Sequence, residues 1–240
     1  MARIARLLLH LLRGLAIARF GFPRWTAVCR REAIRGWSAE LPSKVAIAVA
    51  VHGSPPASSH APVMLVANHV SWLDIFGINA VLPVRFVAKS EVRRWPLIGW
   101  LCERAGTVFI RQARRHDTLR VNEAISAALA AGDVFAVFPE GTTTDGSAVI
   151  KFHSSLLEPA LRARASMQPV ALRYTRPDGS LCDEVSYAGA RTLWDTVRDM
   201  TTVPAITLEI FFLPPITGDF AHRREIARAA EDAIRQALGR

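Results

Sequence analysis

Apolar residues follow two rhythms along the chain. Short β-branched runs at 45–51, 63–67, 84–88, 107–110, 134–137, 168–174 and 205–212 alternate with stretches at 72–80, 116–131, 154–165, 191–200 and 221–238, where apolar positions recur at helical spacing. Most of the runs are apolar on both faces, as a strand must be when helices cover it on both sides. The alternation predicts an α/β fold: a single domain with a mainly parallel central sheet covered by helices on both faces. Residues 52–62, rich in Ser, Pro and Ala, predict a loop, and no internal repeat is visible.

Ahead of this pattern stands MARIARLLLHLLRGLAIARFGFP, a Leu/Ile/Ala stretch interrupted by Arg3, Arg6, Arg13 and Arg19 and ended at Pro23. A bilayer crossing needs about 20 mainly apolar residues, and an arginine at mid-membrane costs about 2.5 to 3.5 kcal/mol. The segment therefore predicts an amphipathic helix lying in the interface, with Leu7, Leu8, Leu11, Leu12 and Leu15 in the acyl boundary. Arginines meeting anionic headgroups add about 1 kcal/mol each. A signal peptide fits less well, because no small-residue cleavage site follows. A second basic helix at 24–37, with Trp25, Val28, Ile34 and Trp37 among Arg24, Arg30, Arg31 and Arg35, extends the same face. Residues 1–40 are thus expected to form membrane-associating helices, and 41–240 the main domain.

Composition sharpens this. Half of the residues are hydrophobic, and the net charge is +9, which calls for an anionic partner such as nucleic acid, an acidic carrier protein, a polyanionic cosubstrate or a membrane face. Three well-separated cysteines, Cys29, Cys102 and Cys182, support neither a disulfide framework nor a zinc site and are expected to be buried thiols. No histidine pair has the i, i+4 spacing of helix-borne ligands, and no metal is expected.

Two segments carry candidate chemistry. In VMLVANHVSWLDIFGIN a buried-type strand leads to Asn68 and His69, with Ser71 at an expected N-cap and Asp74 in the first helical turn. A histidine at the carboxyl end of such a strand sits where open α/β sheets bind ligands. Asp74 has two readings: it fixes the imidazole tautomer and leaves the other nitrogen free to take a proton from a hydroxyl, or it only satisfies amides at the helix start. In VFAVFPEGTTTDG a second apolar strand ends at Glu140 and Gly141. Glycine there permits close backbone approach, and the amides and hydroxyls of Thr142, Thr143 and Thr144 suit ligand oxygens.

Taken together, Asn68-His69-Val-Ser-Trp-Leu-Asp74 and Phe138-Pro-Glu140-Gly141-Thr142 resemble the glycerolipid acyltransferases typified by 1-acyl-glycerol-3-phosphate acyltransferase. Supporting blocks stand in the family's order: Lys89-Ser-Glu-Val-Arg-Arg-Trp-Pro96-Leu-Ile-Gly99, Gly106-Thr-Val-Phe109-Ile110 and Gln168-Pro169-Val170. The resemblance implies that His69 is the base, that Asp74 orients it, that the Glu140 loop helps hold the acceptor, and that 41–240 is the catalytic domain. It departs at Thr143, where family members acting on lysophosphatidic acid commonly carry arginine. The Glu-Gly-Thr-Thr-Thr-Asp-Gly form and Phe152-His153-Ser154-Ser155-Leu156 look like the bacterial lyso-ornithine lipid acyltransferase branch, whose acceptor has no phosphate. Both acceptors stay open.

The implied reaction moves a fatty acyl chain from acyl-CoA or acyl carrier protein to the free hydroxyl of a lysolipid and needs no cofactor, because a thioester is already activated. Alignment supplies up to about 7 to 11 kcal/mol and a base roughly 10² to 10⁴ in rate. Lys89, Arg93, Arg94, Arg111, Arg114 and Arg115 are candidates for phosphates of coenzyme A or for an acidic carrier. Trp95 and Trp100 either line an acyl channel or pack in the core. The expected location is the cytoplasmic face of a bacterial inner membrane, held monotopically. A basic membrane- or nucleic-acid-binding module without catalysis is the alternative, although no nucleic-acid-binding motif is present and none is expected as a partner. A serine hydrolase lacks its G-x-S-x-G elbow, and a nucleotide-phosphate enzyme its glycine loops.

Overall fold

Strands rich in β-branched residues and apolar on both faces can be buried only between two layers, and that is the arrangement found. The computed structural model describes residues 2–57, 62–110, 115–216 and 222–240. Its strands are β1 (Ile47–Gly53), β2 (Val63–Ala67), β3 (Arg85–Lys89), β4 (Val108–Ile110), β5 (Val134–Val137), β6 (Ser166–Thr175) and β7 (Ile206–Phe212). They form a seven-stranded sheet in the order β1-β7-β6-β2-β5-β3-β4. Central β2 is buried at all five positions. Its side chains alternate: Val63, Leu65 and Ala67 enter one core, Met64 and Val66 the other.

The helices are α1 (Ala2–Ala16), α2 (Ala27–Lys44), α3 (Leu73–Val81), α4 (Ile98–Arg104), α5 (Arg115–Ala130), α6 (Glu158–Arg162), α7 (Leu193–Met200) and α8 (Arg223–Ala237). Leu41 of α2, Ile78 of α3 and Met200 of α7 cover one face of the sheet. Ile125 and Leu129 of α5, Ala160 of α6 and Ile226, Ala230 and Ile234 of α8 cover the other.

β2 pairs in parallel with β5 and β6, and β3 with β4 and β5. β7 joins β6 antiparallel and carries β1 parallel to itself. β1 and β7 therefore run against the other five, and their first residues share an edge with the last residues of β2, β3 and β5. That shared edge is where His69 lies.

Several expected boundaries move. The loop expected at 52–62 begins only after Gly53, and its positions 58–61 lie outside the described residues. Pro23 does not stop a helix; α1 passes through a π-turn, Ile17–Gly21, into a 3-10 turn, Phe22–Arg24, where proline's missing N–H costs nothing. The second helix runs from Ala27, capped by Thr26, through Pro42 to Lys44. The helix expected at 154–165 is a 3-10 turn, Ser154–Leu157, followed by α6.

α1 and α2 form a hairpin docked on α3. Gly14 presents no side chain to Trp37, whose ring lies against it. Trp37 donates its indole N–H to the His10 carbonyl at 2.9 Å, stacks on the His10 ring at 4.9 Å and tilts against Phe76 of α3 at 5.4 Å. Arg13 pairs with Glu40, and Arg3 donates to the carbonyls of Thr201 and Val203, both at 3.1 Å. These anchors rotate the apolar face from its expected position: Leu7 packs inward, Leu11 and Leu15 are half-covered, and Leu8, Leu9 and Leu12 stand exposed, Leu9 at 68%. Phe20, Trp25 and Val28 continue that exposed surface. Trp37, expected on it, is committed to packing. Among the described residues no helix is long and apolar enough to cross a membrane.

Candidate active site

β2 ends at Ala67, and Asn68 prolongs its pairing with side-chain atoms. Its amide donates to the Leu172 carbonyl at 3.0 Å, and its carbonyl oxygen accepts the Leu172 N–H at 2.8 Å. Asn68 thereby closes the ladder to β6 while the main chain turns away to present His69.

His69 is held at every polar main-chain atom. Its N–H donates to Glu140 Oε2 at 2.6 Å, and its carbonyl accepts the Thr144 N–H at 2.8 Å. The imidazole lies flat on Phe138, centroids 3.9 Å apart, and Phe138 stacks in turn on Phe86 at 5.8 Å. Nδ1 meets Asp74 Oδ2 at 2.7 Å. A carboxylate can only accept, so Nδ1 carries the hydrogen and Nε2 carries the lone pair. With 18% of its side chain exposed, against 0% for Asp74, His69 alone of the pair reaches solvent.

Asp74 makes the contacts that either reading needs. Oδ2 also accepts the N–H groups of Val70 at 2.8 Å and Ser71 at 3.0 Å, as a helix-start carboxylate would. Oδ1 accepts the hydroxyl of Tyr174 at 2.7 Å. Burial first, and then the charge of Asp74, push the Tyr174 phenol well above its ordinary value, so it stays a donor. Ser71 is not the N-cap; Trp72 is, without a side-chain cap, and Ser71 Oγ has no partner among the described residues.

Glu140 is 2% exposed, and both its oxygens face main-chain amides: Oε2 the His69 N–H, Oε1 the Ile150 N–H at 3.1 Å. Burial pushes its carboxyl up to about 7, against the pull of those two amides. Gly141 has φ 71°, a left-handed conformation that turns the chain sharply behind Glu140. Thr142 is exposed, whereas Thr143 donates its hydroxyl to the Tyr187 carbonyl. Lys89 is exposed at the end of β3, on the edge that holds His69; Arg93 is paired with Glu103 at 2.6 Å. Arg111 and Arg114 lie outside the described residues. Trp95 is exposed and Trp100 half-buried. Cys29 is exposed rather than buried, while Cys182 is buried and Cys102 half-buried. Among the described residues no trio of His, Cys, Asp or Glu is placed to hold a metal.

Tyr174 is the site residue that the sequence reading passed over. It stands on β6 two positions beyond Leu172, and both enter the same core as β2's Leu65 and Ala67. Period-two alternation would have put it on the correct face, but which strand flanks β2 is set by topology alone.

Comparison with known proteins bears on this arrangement. Residues 48–173 match the protein-family model described as acyltransferase. The lyso-ornithine lipid O-acyltransferase of Pseudomonas aeruginosa is 37% identical, across 99% of this chain and 95% of its own. The 1-acyl-sn-glycerol-3-phosphate acyltransferase of Neisseria gonorrhoeae is also 37% identical, across 76% of this chain and 68% of its own. The crystal structure of the 1-acyl-sn-glycerophosphate acyltransferase of Thermotoga maritima superposes with a TM-score of 0.71 over 99% of this chain and 96% of that one, at 22% identity, a likeness of fold.

Proposed function

The chain belongs to the acyltransferase family, and on that premise we propose that it moves a fatty acyl group from a thioester donor to the free hydroxyl of a lysolipid, with His69 as general base. The observation that carries this reading is the His69–Asp74 pair, 2.7 Å apart, with the carboxylate buried and the imidazole reaching the surface. Nε2 takes the acceptor's hydroxyl proton as that oxygen attacks the thioester carbonyl. The tetrahedral adduct collapses, the C–S bond breaks, and the imidazolium returns the proton to the leaving thiolate. Asp74 fixes the ring and steadies its charge in between, a role typically worth several orders of magnitude in rate.

Asn68 and Glu140 hold the main chain on either side of the base, and Lys89, Arg111 and the exposed Thr142 are the candidates for contacting donor or acceptor. No metal or other cofactor enters the reaction as proposed; acyl-CoA or acyl carrier protein is the cosubstrate. The acceptor proposed is lyso-ornithine lipid. Two things support it: the likeness to the Pseudomonas aeruginosa enzyme extends over nearly the whole chain, and Thr143 has its hydroxyl committed to Tyr187 where an arginine would meet a phosphate. Lysophosphatidic acid is the second reading, favoured by equal identity to the Neisseria gonorrhoeae enzyme.

Residues 1–40 form the membrane-associating unit and 41–240 the catalytic domain in this reading. The exposed Leu8, Leu9, Leu12, Phe20, Trp25 and Val28 dip into the acyl boundary of an anionic leaflet on the cytoplasmic side. Each fully buried apolar side chain adds about 1.5 to 3 kcal/mol. The test is acyl transfer in mixed micelles, with labelled acyl-CoA and acyl carrier protein each offered both lysolipids. Product from lyso-ornithine lipid alone is expected; product from lysophosphatidic acid alone overturns the acceptor assignment. Full turnover by a folded His69→Ala protein would remove the proposed base.

A further inference from the structure

The acyl-transfer reading uses one oxygen of Asp74 and leaves the other unexplained. Oδ2 is surrounded by three donors from a single loop: the His69 ring and the amides of Val70 and Ser71. Oδ1 points into the core, where Asp74 has no exposure and water cannot reach it. Its donor comes from a distant part of the chain, the Tyr174 hydroxyl at 2.7 Å. Tyr174 is itself 2% exposed and sits one residue beyond the stretch matched by the family model. It is braced on β6, whose Leu172 is locked to Asn68, so strand, tyrosine and base share one rigid frame.

We propose that Tyr174 is a positioning residue for the reaction: its hydroxyl fixes the inner oxygen of Asp74 and thereby sets how strongly Asp74 holds the His69 imidazole. The inference rests on the acyl-transfer reading for its consequence in turnover, but its electrostatic part concerns the resting protein alone. A hydrogen bond to Oδ1 draws carboxylate charge toward the core and away from Oδ2. Removing it leaves Oδ1 without its donor while three donors still hold Oδ2, so more of the charge stays on Oδ2, which becomes a stronger acceptor toward His69. The imidazolium is then harder to deprotonate, and it returns its proton to the departing thiolate less readily.

The other ionisable groups around this frame come from different elements. Glu140 reaches the His69 amide from the loop after β5, the charge of Glu231 on α8 acts on Glu140, and Cys182 lies beside Tyr174. None of them donates a hydrogen bond to Oδ1, so the effect of the phenol is separable from theirs.

The decisive experiment compares wild type, Tyr174→Phe and a protein with 3-fluorotyrosine placed at 174 by codon suppression. All three are full-length chains in detergent micelles. Phenylalanine keeps the ring and deletes the donor; fluorotyrosine keeps the ring and strengthens the donor. For Tyr174→Phe the expected results are a fall in kcat of about tenfold with KM unchanged, and an upward movement of the His69 ring titration followed by NMR. Fluorotyrosine moves the ring titration in the opposite direction. Should Tyr174→Phe not fold, the fluorotyrosine protein decides the question alone.

A tyrosine that only fills the core would change thermal stability and leave the His69 titration where it was, and that outcome overturns the proposal. So does movement of both variants in the same direction. If no variant, wild type included, transfers acyl groups while the titrations still move as stated, the acyl-transfer reading falls and the positioning role stands.

Discussion

Glu140→Gln tests how the buried carboxylate beneath His69 is held. The carboxyl is pushed from an ordinary 4.5 to about 7, first by burial. Its pH signature follows from linkage: between those values the folded protein keeps a proton that the unfolded chain has released. Stability is therefore fully present below pH 4.5 and drains away as pH rises through 7, at about 1.4 kcal/mol per pH step, or about 3 kcal/mol over the window. Glutamine cannot titrate, so this slope disappears. Glutamine also presents an NH₂ where the carboxylate accepted, and the amide of His69 or of Ile150 loses its acceptor, a cost of about 1 to 3 kcal/mol. The assay is urea unfolding in detergent from about pH 4.5 to 8.5, followed by tryptophan fluorescence, for both proteins. All other titrating groups are shared, so the difference curve isolates Glu140. The variant is expected to be less stable in acid and to close the gap, or overtake wild type, by the alkaline end. A pH-independent difference would refute the assignment of burial as the dominant influence on this carboxyl.

Three further outcomes are expected. Asp74→Asn keeps an oxygen for the loop amides but removes the charge behind the imidazole and turns an NH₂ toward the Tyr174 hydroxyl, so kcat should fall by roughly 10² to 10⁴ and stability by about 1 to 3 kcal/mol; steady-state rates beside calorimetry check this. Asn68→Ala leaves the Leu172 N–H and carbonyl unpaired in the core and should cost about 1 to 3 kcal/mol in chemical denaturation, an expectation that an unchanged midpoint would end. Replacing Leu8, Leu9 and Leu12 together by serine should release the protein from anionic vesicles in sedimentation without altering its fold, whereas Leu7→Ser should instead destabilise the protein, because that side chain faces inward.

Much of the scaffold could be read from local pattern. β2 and β5 have the bounds that their apolar runs predict, since a strand buried on both faces leaves no ambiguity about where burial ends. The His69–Asp74 pair was legible because it is local: five residues across a strand-to-helix turn leave few alternatives. What remained hidden was long-range or rotational. The exposed stripe on α1 depends on which face Gly14, His10 and Trp37 claim, and the leucines form so broad an arc that the pattern did not say which of them would be covered. α4 (Ile98–Arg104) follows a proline and Leu97, whose φ of 63° is rare for leucine, so its short period was lost in the turn. The antiparallel entry of β7 has no signature in its own residues. The resemblance gives the Glu140 loop to the acceptor, and in the structure the Glu140 carboxylate itself faces the amides of His69 and Ile150.

The fastening of the base also sets a timetable. Asn68 waits for Leu172, 104 residues further on, His69 for Glu140, 71 further on, and Asp74 for Tyr174, 100 further on. Contacts at such separation close late, because a long loop must be ordered before any of them is rewarded. During synthesis the arginine-leucine hairpin emerges before Glu140, Leu172 and Tyr174. The nascent chain therefore carries the leucines proposed to meet lipid while the histidine is still unbraced, and on that proposal the order of translation lets membrane capture precede chemical competence.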